Sequence, residues 1–512
     1  MTDRTTGTED LSRARYELEL YLLGGAFDLY EDDRCIAGVE PRHATAEVSF
    51  GKLIFSCWGE GWSRAWRVLS CQSLPERLRL HCAKQMGRAH CTLELRRGAV
   101  TGDEAQSRTE FAAKLTTIIQ SHFPALRVER SITARDDTRH FSGVHARLVL
   151  NDHGKLVAGI GVSAQESQAN IDATLGAGLI WFNALRRRNS SINRLMIFVP
   201  RDRALTIATR LTAVRVAGAS LALYEVDEAK STLQPVAPFD QGDLSDHFRR
   251  AAMRAQWPRA KALPAEVALL IDSITQRAPD LIESYARGGW TQLAIRGLAF
   301  ARVSTSRKRI EFGIGPAKQI LTDTNQAQLE NLVAEIIENR RADAENRNSA
   351  IFRDQSERWL EAIIRREVTV IDASLDARYV YSQVPAYRGE QRSFIDLLAA
   401  TREGRLVVIE LKVAEDSEFP FQGLDYWLRV DWHRLRGDFH RRGYFKELQL
   451  ADAPPLIYLV APLFRFHATT RLIASCIAER APLFRIGINE DWRAGVRVLL
   501  TERLNETADD HR

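Results

Sequence analysis

The sequence predicts a mixed α/β protein with several domains. The chain has 512 residues, which is more than one hydrophobic core usually organises. Short stretches of alternating apolar and polar residues fill the first hundred positions, and one order of helices and strands occurs twice farther along. We therefore expect a β-rich module at 1–104, an α/β domain at 105–235, a connecting segment at 236–350 and a second α/β domain at 351–512.

The composition is typical of a folded protein in an aqueous compartment. Apolar residues make up 45% of the chain and charged residues 27%. No apolar run approaches the roughly 18 residues that a membrane-spanning helix needs. The N-terminal stretch MTDRTTGTEDLSR is too polar and acidic for a secretory signal. We expect a cytoplasmic protein that does not bind membranes.

The module at 1–104 is predicted to consist of strands joined by hairpin turns. Segments from FDLYEDD to HCTLELRRG alternate apolar and polar residues between turn-rich breaks. The pairs His81-Cys82 and His90-Cys91 raise the possibility of a metal site, but no C-x-x-C spacing supports one. We expect buried thiols on strands, since five of the six cysteines lie here: Cys35, Cys57, Cys71, Cys82 and Cys91.

The segment at 105–235 has the predicted order α-β-β-β-α-β-α-β. A helical pattern in EFAAKLTTIIQSHFP precedes three extended stretches ending in KLVAGIGVS. A helix, the strand INRLMIFVP, another helix and the strand LALYEV follow. The segment at 236–350 opens with the Pro-containing break PVAPFDQGD. It continues with helices, one hairpin around LAIRGLAFARV and RIEFGIG, and the helix AQLENLVAEIIENRRADAENR, whose charged end we interpret as a solvated connector.

The same order returns at 351–512. The helix SERWLEAIIRR is followed by YVYSQVPAYR, SFIDLLAATR and RLVVIELKV, then by a long helix from Gln422 to about Arg442 and the strand LIYLVAP. An offset of 250 residues places Gly154 on Gly404 and Leu156-Val157 on Leu406-Val407. The sequence thus predicts that the upstream α/β domain is a second copy of the C-terminal one.

The stretch LVVIELKV carries Glu410 and Lys412 on one face of an otherwise apolar strand. An edge strand with one wet face and a cross-strand salt bridge is the simpler interpretation. At the 250-residue offset, however, Asp396, Glu410 and Lys412 align with three uncharged residues, so the strands do not need charge to form. These aligned residues are Ala146, Ile160 and Val162.

Two carboxylates are expected to meet in the C-terminal domain. The strand of Asp396 should pair with LVVIELKV through the turn TREGR and bring Asp396 beside Glu410. Two such carboxylates repel each other unless a cation lies between them, and Mg²⁺, for which Mn²⁺ could substitute, prefers oxygen ligands. Residues 351–512 contain 22 arginines but only two lysines, Lys412 and Lys446. Lys412 is therefore predicted to orient or deprotonate a water.

Asp396, then thirteen residues, then Glu410-Leu411-Lys412 in an αβββαβ order resembles the PD-(D/E)xK nuclease superfamily. The resemblance covers about residues 351–475. It implies a restriction-endonuclease-like core that cleaves phosphodiester bonds with Mg²⁺. Asp396, Glu410 and the main chain of Leu411 would hold the metal, and Lys412 would be catalytic. The upstream domain would be a degenerate copy of the same fold.

A further pattern is similar to the RecB-like branch of this superfamily. Gln422 and Tyr426 match its Q-x-x-x-Y signature and would border the metal site. Farther along the same helix face we expect nucleic-acid contacts, although a solvated surface is the alternative: Arg429, His433 and Arg436, followed by His440. An apolar stripe for packing on the sheet is predicted at Leu424, Leu428, Leu435 and Phe439.

The superfamily also carries an acid on the first helix. Glu357 shares a helical face with Leu360 and Ile364, but Asp354-Gln355-Ser356-Glu357 is also a capping-box pattern. Glu361, one turn later, is the second candidate, and we favour Glu357. The superfamily's proline before the first aspartate is absent here, where Ile395 precedes Asp396.

The predicted function is that of a metal-dependent nuclease, with DNA favoured over RNA by the resemblance alone. Residues 351–512 hold 24 basic and 25 acidic residues, whereas the other 350 hold 47 and 41, so upstream segments would help to hold a polyanion. An inactive nuclease-fold protein that binds nucleic acid is the alternative, as is a subunit of a defence or repair complex. A homodimer or protein-complex partners are compatible with both.

Overall fold

The computed structural model describes most of the chain. By its contacts the chain divides into two compact units, unit 1 (Met1–Gly102 and Ala262–Asp354) and unit 2 (Asp103–Lys261 and Gln355–Arg512). We name the two segments of unit 2 the upstream domain and the C-terminal domain. The described residues are 14–15, 17–18, 21–22, 27–32, 34–39, 43–49, 52–59, 62–74, 77–84, 89–97, 102–136, 140–240, 242, 265–279, 281–287, 290–304, 309–314, 318–347, 349–388 and 391–506.

Unit 1 begins with seven strands, so the β-rich N-terminal region is confirmed. They are β1 (Phe27–Glu31), β2 (Arg34–Val39), β3 (Ala44–Ser49), β4 (Lys52–Gly59), β5 (Trp62–Leu74), β6 (Arg77–Lys84) and β7 (Ala89–Arg97). They form one antiparallel sheet in the order β2-β1-β7-β6-β5-β4-β3. Alternate residues such as Leu53, Phe55 and Cys57 are buried on one face, as period-two patterning requires.

The cysteines of this sheet are thiols. Cys57, Cys82 and Cys91 are buried on strands and Cys71 is half-buried. Burial raises the pKa of the Cys57 thiol well above its ordinary value. These side chains therefore behave as small apolar residues of the core. The side chain of Cys35 lies outside the described residues.

The upstream domain has a six-stranded mixed sheet. Its elements are α1 (Gly102–His122), β8 (Leu126–Ile132), β9 (Ala146–Asp152), β10 (Lys155–Gly161), α2 (Gln168–Asp172), α3 (Thr174–Arg186), β11 (Arg194–Pro200), α4 (Leu205–Arg210), β12 (Ser220–Asp227) and β13 (Thr232–Val236). The strands lie in the order β13-β12-β11-β10-β9-β8. Only the β10–β11 and β11–β12 pairs are parallel.

The second segment of unit 1 contains more structure than the single predicted hairpin. Its elements are α5 (Ala265–Thr275), β14 (Ile282–Arg287), β15 (Trp290–Ile295), β16 (Leu298–Ser304), β17 (Arg309–Phe312), β18 (Gln319–Ile320), α6 (Gln326–Asn339) and α7 (Ala350–Arg353). The five strands form one antiparallel sheet in sequence order. Leu329, Val333 and Ile336 of α6 pack in its core, and the helix ends at Asn339, before most of the predicted charged end.

The C-terminal domain has its own six-stranded sheet. Its elements are α8 (Ser356–Arg366), β19 (Leu375–Arg388), β20 (Gln391–Thr401), β21 (Leu406–Leu411), α9 (Phe419–Leu435), α10 (Asp438–Arg441), β22 (Leu456–Pro462), α11 (Thr470–Ser475), β23 (Leu483–Ile488) and β24 (Val498–Arg503). Short 3-10 turns lie at Val368–Val370, Leu463–Arg465 and Trp492–Ala494. The strands lie in sequence order, and only β21–β22 and β22–β23 are parallel.

The two sheets of unit 2 have the same strand order and the same pattern of parallel and antiparallel pairs. One of their differences lies at a turn: β9 and β10 are joined by two residues, but β20 and β21 by a longer loop that contains Gly404. Gly404 has φ +84°, and a Cβ there would lie 1.9 Å from the Gln449 carbonyl oxygen, so only glycine fits.

The longer loop changes one predicted alignment. In the upstream sheet Ile160 pairs with Arg147. In the C-terminal sheet Leu397 pairs with Ile409, so the next residue of β21, Glu410, lies opposite Asp396. The upstream residue that corresponds to Asp396 is therefore Arg147. The alignment with Ala146 was wrong because a constant offset ignored the inserted loop residue.

The two domains of unit 2 share one hydrophobic core. It contains Leu175 and Phe182 of α3, Ile207 of α4, Leu424 of α9 and Ile473 of α11. Helix α9 contacts α4, and α11 contacts α3. Val214 and Ile477, which follow α4 and α11 respectively, form an antiparallel bridge with each other. The contacts are therefore reciprocal: α4 and α11, which occupy the same place in the two copies, each pack on the longer helix of the other copy.

None of the helices in the described part of the chain is both long enough and apolar enough to cross a membrane.

Candidate active site

The first feature of the site is the register of the strands around Asp396. Asp396 on β20 lies opposite Glu410 on β21, one step beyond the pair Leu397–Ile409. On its other side, Asp396 lies opposite Gln383 of β19, between the pairs Ser382–Leu397 and Val384–Ile395. Gln383, Asp396 and Glu410 therefore occupy neighbouring positions on β19, β20 and β21, among mostly buried apolar residues.

Gln383 and Leu411 fix the carboxylate of Asp396. The Gln383 amide donates to Oδ1 at 3.2 Å and the Leu411 backbone N–H donates to Oδ2 at 3.0 Å. Gln383 has φ +54°, a left-handed conformation that is uncommon for a residue with a side chain. The backbone is irregular at this point, where the Gln383 side chain reaches Asp396 and also a helix residue, Glu361.

Helix α8 adds a third carboxyl group, Glu361. Its Oε2 accepts hydrogen bonds from Gln383 at 2.8 Å and from Arg358 at 2.9 Å, and its Oε1 accepts one from the Ser382 hydroxyl. Glu361 is only 5% exposed. A single amide, that of Gln383, thus links Glu361 to Asp396.

Glu357, the favoured helix acid, lies one turn earlier and is partly buried. The capping-box interpretation is wrong, because the N-cap of α8 is Gln355, with φ 49° and no side-chain capping bond, rather than Asp354. The negative charge of Glu357 contributes to raising the pKa of Glu410. Both helix acids therefore act on the strand carboxylates, but it is Glu361 that shares a hydrogen-bond donor with Asp396.

The strand carboxyl groups have unusual proton affinities. Burial, and then the charge of Glu361, raise the pKa of Asp396 to about 6. Burial, and then the charge of Asp396, raise the pKa of Glu410 well above its ordinary value, although Lys412 opposes the shift. Burial also raises the pKa of Glu361, against the effect of Arg358. With Glu357 and Asp416 the cluster has five acids, which the three basic neighbours Arg358, Arg365 and Lys412 do not neutralise.

Glu410 has an oxygen available for a ligand. Its side chain is 2% exposed, its buried Oε2 accepts no hydrogen bond from a donor group, and the neighbouring Asp396 carboxyl group can share a proton with it, which raises the pKa of Glu410. A buried carboxylate oxygen without a partner is costly unless a proton or a cation occupies it. Within the described residues, no group of three or more His, Cys, Asp or Glu side chains is arranged as a metal site. Mg²⁺ commonly binds through one or two carboxylates and several waters, so Asp396, Glu410 and the Leu411 carbonyl suit this ion.

Lys412 lies directly after β21, and its N–H continues the ladder to the Val460 carbonyl at 3.0 Å. The side chain is 5% exposed. Its Nζ is 3.5 Å from Oδ2 of Asp416, four residues later. The charge of Lys412 also lowers the pKa values of Asp396 and Glu410, against the larger effects that raise them. The ammonium is therefore held between the loop acid and the strand acids.

Gln422 and Tyr426 lie in the first two turns of α9, on the helix that packs over β21 and β22. Gln422 is partly buried. Tyr426 is 4% exposed and packs in the core that contains Leu406 and Val408, the residues of β21 that precede Glu410. Tyr426 of the Q-x-x-x-Y pattern thus adjoins the strand that carries the site.

The predicted nucleic-acid stripe is not a continuous helix face. Arg429 is buried and donates to Asp240 at 2.6 Å, and His433 is fully buried with Nδ1 2.8 Å from Asp438. Helix α9 ends at Leu435 rather than near Arg442, because Gly437 adopts φ +66°. Only Arg436 of the three is solvent-exposed, and it stacks on Trp432. The assignment of Arg429 and His433 to a substrate surface was wrong, since both are occupied inside the fold.

The same early helix end corrects the predicted apolar stripe. Leu424, Leu428 and Phe439 are buried, but Leu435 is 69% exposed.

Several residues of the site were not identified from the sequence. Gln383 and Ser382 were part of a predicted strand, and no pattern reveals a left-handed residue within it. Asp416 follows Lys412 at a spacing of four, but in a loop rather than a helix, where that spacing carries no expectation of contact. No protein-family profile, curated protein or solved structure matches this chain.

Proposed function

We propose that the C-terminal domain is a metal-dependent phosphodiesterase of the PD-(D/E)xK type that acts on nucleic acid, with DNA as the favoured substrate. One observation supports this most strongly: Asp396, Glu410 and Glu361 cluster beside Lys412 with raised pKa values, and a buried oxygen of Glu410 accepts no hydrogen bond from a donor group. A structural ion-pair network would be expected to balance its charges. This cluster has an acidic excess that a divalent cation would neutralise.

Asp396, Glu410 and the Leu411 carbonyl would hold the metal. Bound Mg²⁺ would supply Lewis-acid stabilisation for a phosphate oxygen and make a nearby water more acidic. Gln383 and the Leu411 N–H keep Asp396 in one orientation through their hydrogen bonds to its two oxygens. This second layer of contacts lowers the cost of assembling the site when substrate arrives.

Lys412 would act on the phosphate or on the attacking water. Its ammonium is compact and buried, and it lies at an ion-pair distance of 3.5 Å from Asp416. A positioned cation next to a scissile phosphate stabilises the charge that develops in the transition state. Glu361 would tune Asp396 through Gln383, which donates hydrogen bonds to both carboxyl groups.

The upstream domain would then be a copy of the same fold without the acidic cluster. The shared strand order of the two sheets supports this interpretation. The positions of Asp396 and Glu410 are taken by Arg147 and Ile160, and neither residue type binds Mg²⁺.

The test is nicking of supercoiled plasmid DNA by the full chain in Mg²⁺ or Mn²⁺, with calorimetry of Mn²⁺ binding in parallel. Asp396→Asn with Glu410→Gln should abolish Mn²⁺ binding and lower nicking by about 10³-fold, since a metal supplies several kcal/mol of transition-state stabilisation. Asp452→Asn with Glu490→Gln is the matched control. It also removes two carboxylates from the domain, but their side chains are 99% and 43% exposed.

Unchanged Mn²⁺ affinity in the Asp396/Glu410 double variant would refute the metal assignment. Metal binding without cleavage of plasmid, linear or single-stranded DNA or of RNA would favour the alternative, an inactive nuclease fold that binds nucleic acid or serves as a subunit of a larger complex.

A further inference from the structure

The boundary between the two domains of unit 2 contains a buried ion-pair clamp. Arg210, the last residue of α4 in the upstream domain, is 0% exposed. Its Nε and Nη2 each donate to one oxygen of Asp425 at 2.9 Å, and its Nη1 donates to Glu418 at 3.0 Å. Nη1 also donates to the Asp172 carbonyl at 2.9 Å, and the guanidinium stacks over the Phe421 ring. We refer to Arg210, Glu418 and Asp425 as the clamp.

The clamp is one-sided, although the packing around it is paired. Helices α4 and α11 occupy the same place in the two copies, and each has six residues. The bridge between Val214 and Ile477 aligns the two copies here, so the counterpart of Arg210, four residues before Val214, is Ile473, which is apolar and fully buried. Only the upstream copy therefore sends a charged group into the other domain at this position.

The clamp is connected to the candidate active site through a short loop. Glu418 is the N-cap of α9, and its backbone N–H donates to Oδ1 of Asp416 at 2.8 Å. The other oxygen of Asp416 is the one that lies 3.5 Å from Lys412 Nζ. Three contacts thus join Arg210 to Lys412: Arg210 with Glu418, Glu418 with Asp416, and Asp416 with Lys412.

A glycine in the upstream domain leaves space for the clamp. A Cβ built on Gly176 of α3 would lie 2.6 Å from Oε1 of Glu418. Glu418 is held by Arg210, so it could not turn away without breaking that ion pair. Two features of the upstream domain, Arg210 and Gly176, therefore act on the same carboxylate of the C-terminal domain.

We propose that Arg210 is a positioning residue for Lys412: the upstream domain fixes the loop at 412–418 through Glu418, so that Asp416 orients the Lys412 ammonium. The upstream copy then has a role in the reaction although it lacks the acidic cluster. This inference rests on the proposed function for its effect on catalysis, but its effect on the loop can be measured without any activity.

Gly176→Ala and Gly178→Ala form a matched pair for the test. Both lie in α3, where alanine favours the helix. A Cβ on Gly178 meets Ile160 and Leu195 of the upstream sheet, whereas one on Gly176 meets Glu418. Gly176→Ala should lower kcat for plasmid nicking about 10- to 100-fold with little change in KM, because small displacements of a catalytic group are costly. Gly178→Ala should leave kcat within about twofold of the wild-type value.

Arg210→Lys is the second variant, since it keeps the positive charge but loses the fork that binds Asp425 and Glu418 together. Its kcat should fall in the same direction as that of Gly176→Ala. In a Lys412→Met background, neither substitution should lower the residual rate further, because residues that act through Lys412 have no effect once it is absent.

Hydrogen–deuterium exchange separates this inference from the proposed function. Gly176→Ala and Arg210→Lys should speed exchange at 412–418 without changing exchange in β20, whether or not the wild type cleaves DNA. Unchanged exchange at 412–418 in both variants would overturn the proposal, as would equal kcat values for Gly176→Ala and Gly178→Ala.

Discussion

The upstream and C-terminal domains of unit 2 build the same six-stranded sheet around different polar residues. In the C-terminal sheet, the acidic pair Asp396 and Glu410 stands where β20 meets β21. In the upstream sheet the same two positions hold Arg147 and Ile160. The position after the strand holds Lys412 in one copy and the buried Val162 in the other.

Arg147 shows what this position becomes without an acidic neighbour. Its side chain is buried, its guanidinium lies 4.4 Å from the Phe141 ring centroid, and one N–H donates to the Ala134 carbonyl. Burial lowers its pKa, and Asp136 opposes the shift. The strand pair therefore forms with a cation and an aliphatic side chain as readily as with two acids. The acidic pair in the C-terminal copy is not a requirement of the fold.

The first prediction removes the cation of the C-terminal site and has the largest expected effect. Lys412→Met keeps an unbranched side chain but loses the ammonium. Cleavage should fall about 10²-fold or more, as expected for a positioned acid–base or charge-stabilising group, while Mn²⁺ binding is retained. The measurement is plasmid nicking in Mg²⁺ beside a thermal melt.

Lys446→Met is the control for this variant, since Lys446 is the only other lysine of residues 351–512. Its activity should be unchanged. If Lys412 served only as a structural ion-pair partner of Asp416, Lys412→Met would lower the melting temperature. At temperatures below that of the melting transition it would still nick plasmid at the full rate.

The second prediction converts one position of the site into its upstream counterpart. Glu410→Ile introduces the residue found at position 160. The metal-free protein should become more stable by about 1–3 kcal/mol, because a buried, poorly compensated carboxyl group is replaced by an apolar side chain. The free energy of unfolding is measured by urea titration at pH 8 in EDTA.

Glu410→Gln separates the two causes, since it removes the charge without adding apolar surface. Its gain in stability should be smaller but of the same sign. A loss of stability in both variants would mean that Glu410 holds the fold together, and the distinction between the two copies would then be structural rather than functional.

Much of the fold could be predicted from the sequence because hydrophobic periodicity and turn residues are local signals. The predicted helix SERWLEAIIRR and the predicted strand LIYLVAP match Ser356–Arg366 and Leu456–Pro462. The predicted helix from Gln422 to about Arg442 was wrong at its C-terminal end. A polar stripe continues through Gly437, but the backbone turns there.

The site could be predicted only where contacts follow strand register. Asp396 and Glu410 were placed opposite each other because a short turn sets the pairing of adjacent strands. Arg429 and His433 were misplaced because their partners, Asp240 and Asp438, come from a distant segment and from the residues after the helix end. The clamp residue Arg210 is more than two hundred positions from its partners, and no local pattern encodes such a contact.

The third prediction concerns pH and has the smallest expected effect. The pKa of Asp396 is raised from 3.8 to about 6, so the folded metal-free protein binds this proton more tightly than the unfolded chain does. Its contribution to stability is therefore fully present below about pH 4 and is lost as pH rises through 6. Between pH 4.5 and 7.5 in EDTA, the free energy of unfolding of the wild type should fall relative to that of Asp396→Asn by on the order of 1–2 kcal/mol.

Asp372→Asn is the control, because the pKa of Asp372 is lowered rather than raised. Burial opposes the shift at Asp372, but the Tyr458 hydroxyl and Ser374 lower its pKa, so its contribution is already complete across this window and the difference from wild type should be flat. If the difference in free energy of unfolding between the wild type and Asp396→Asn were also independent of pH, the pKa of Asp396 would not be raised in the folded protein. The contrast between the acidic pair and Arg147 would then lose its electrostatic basis.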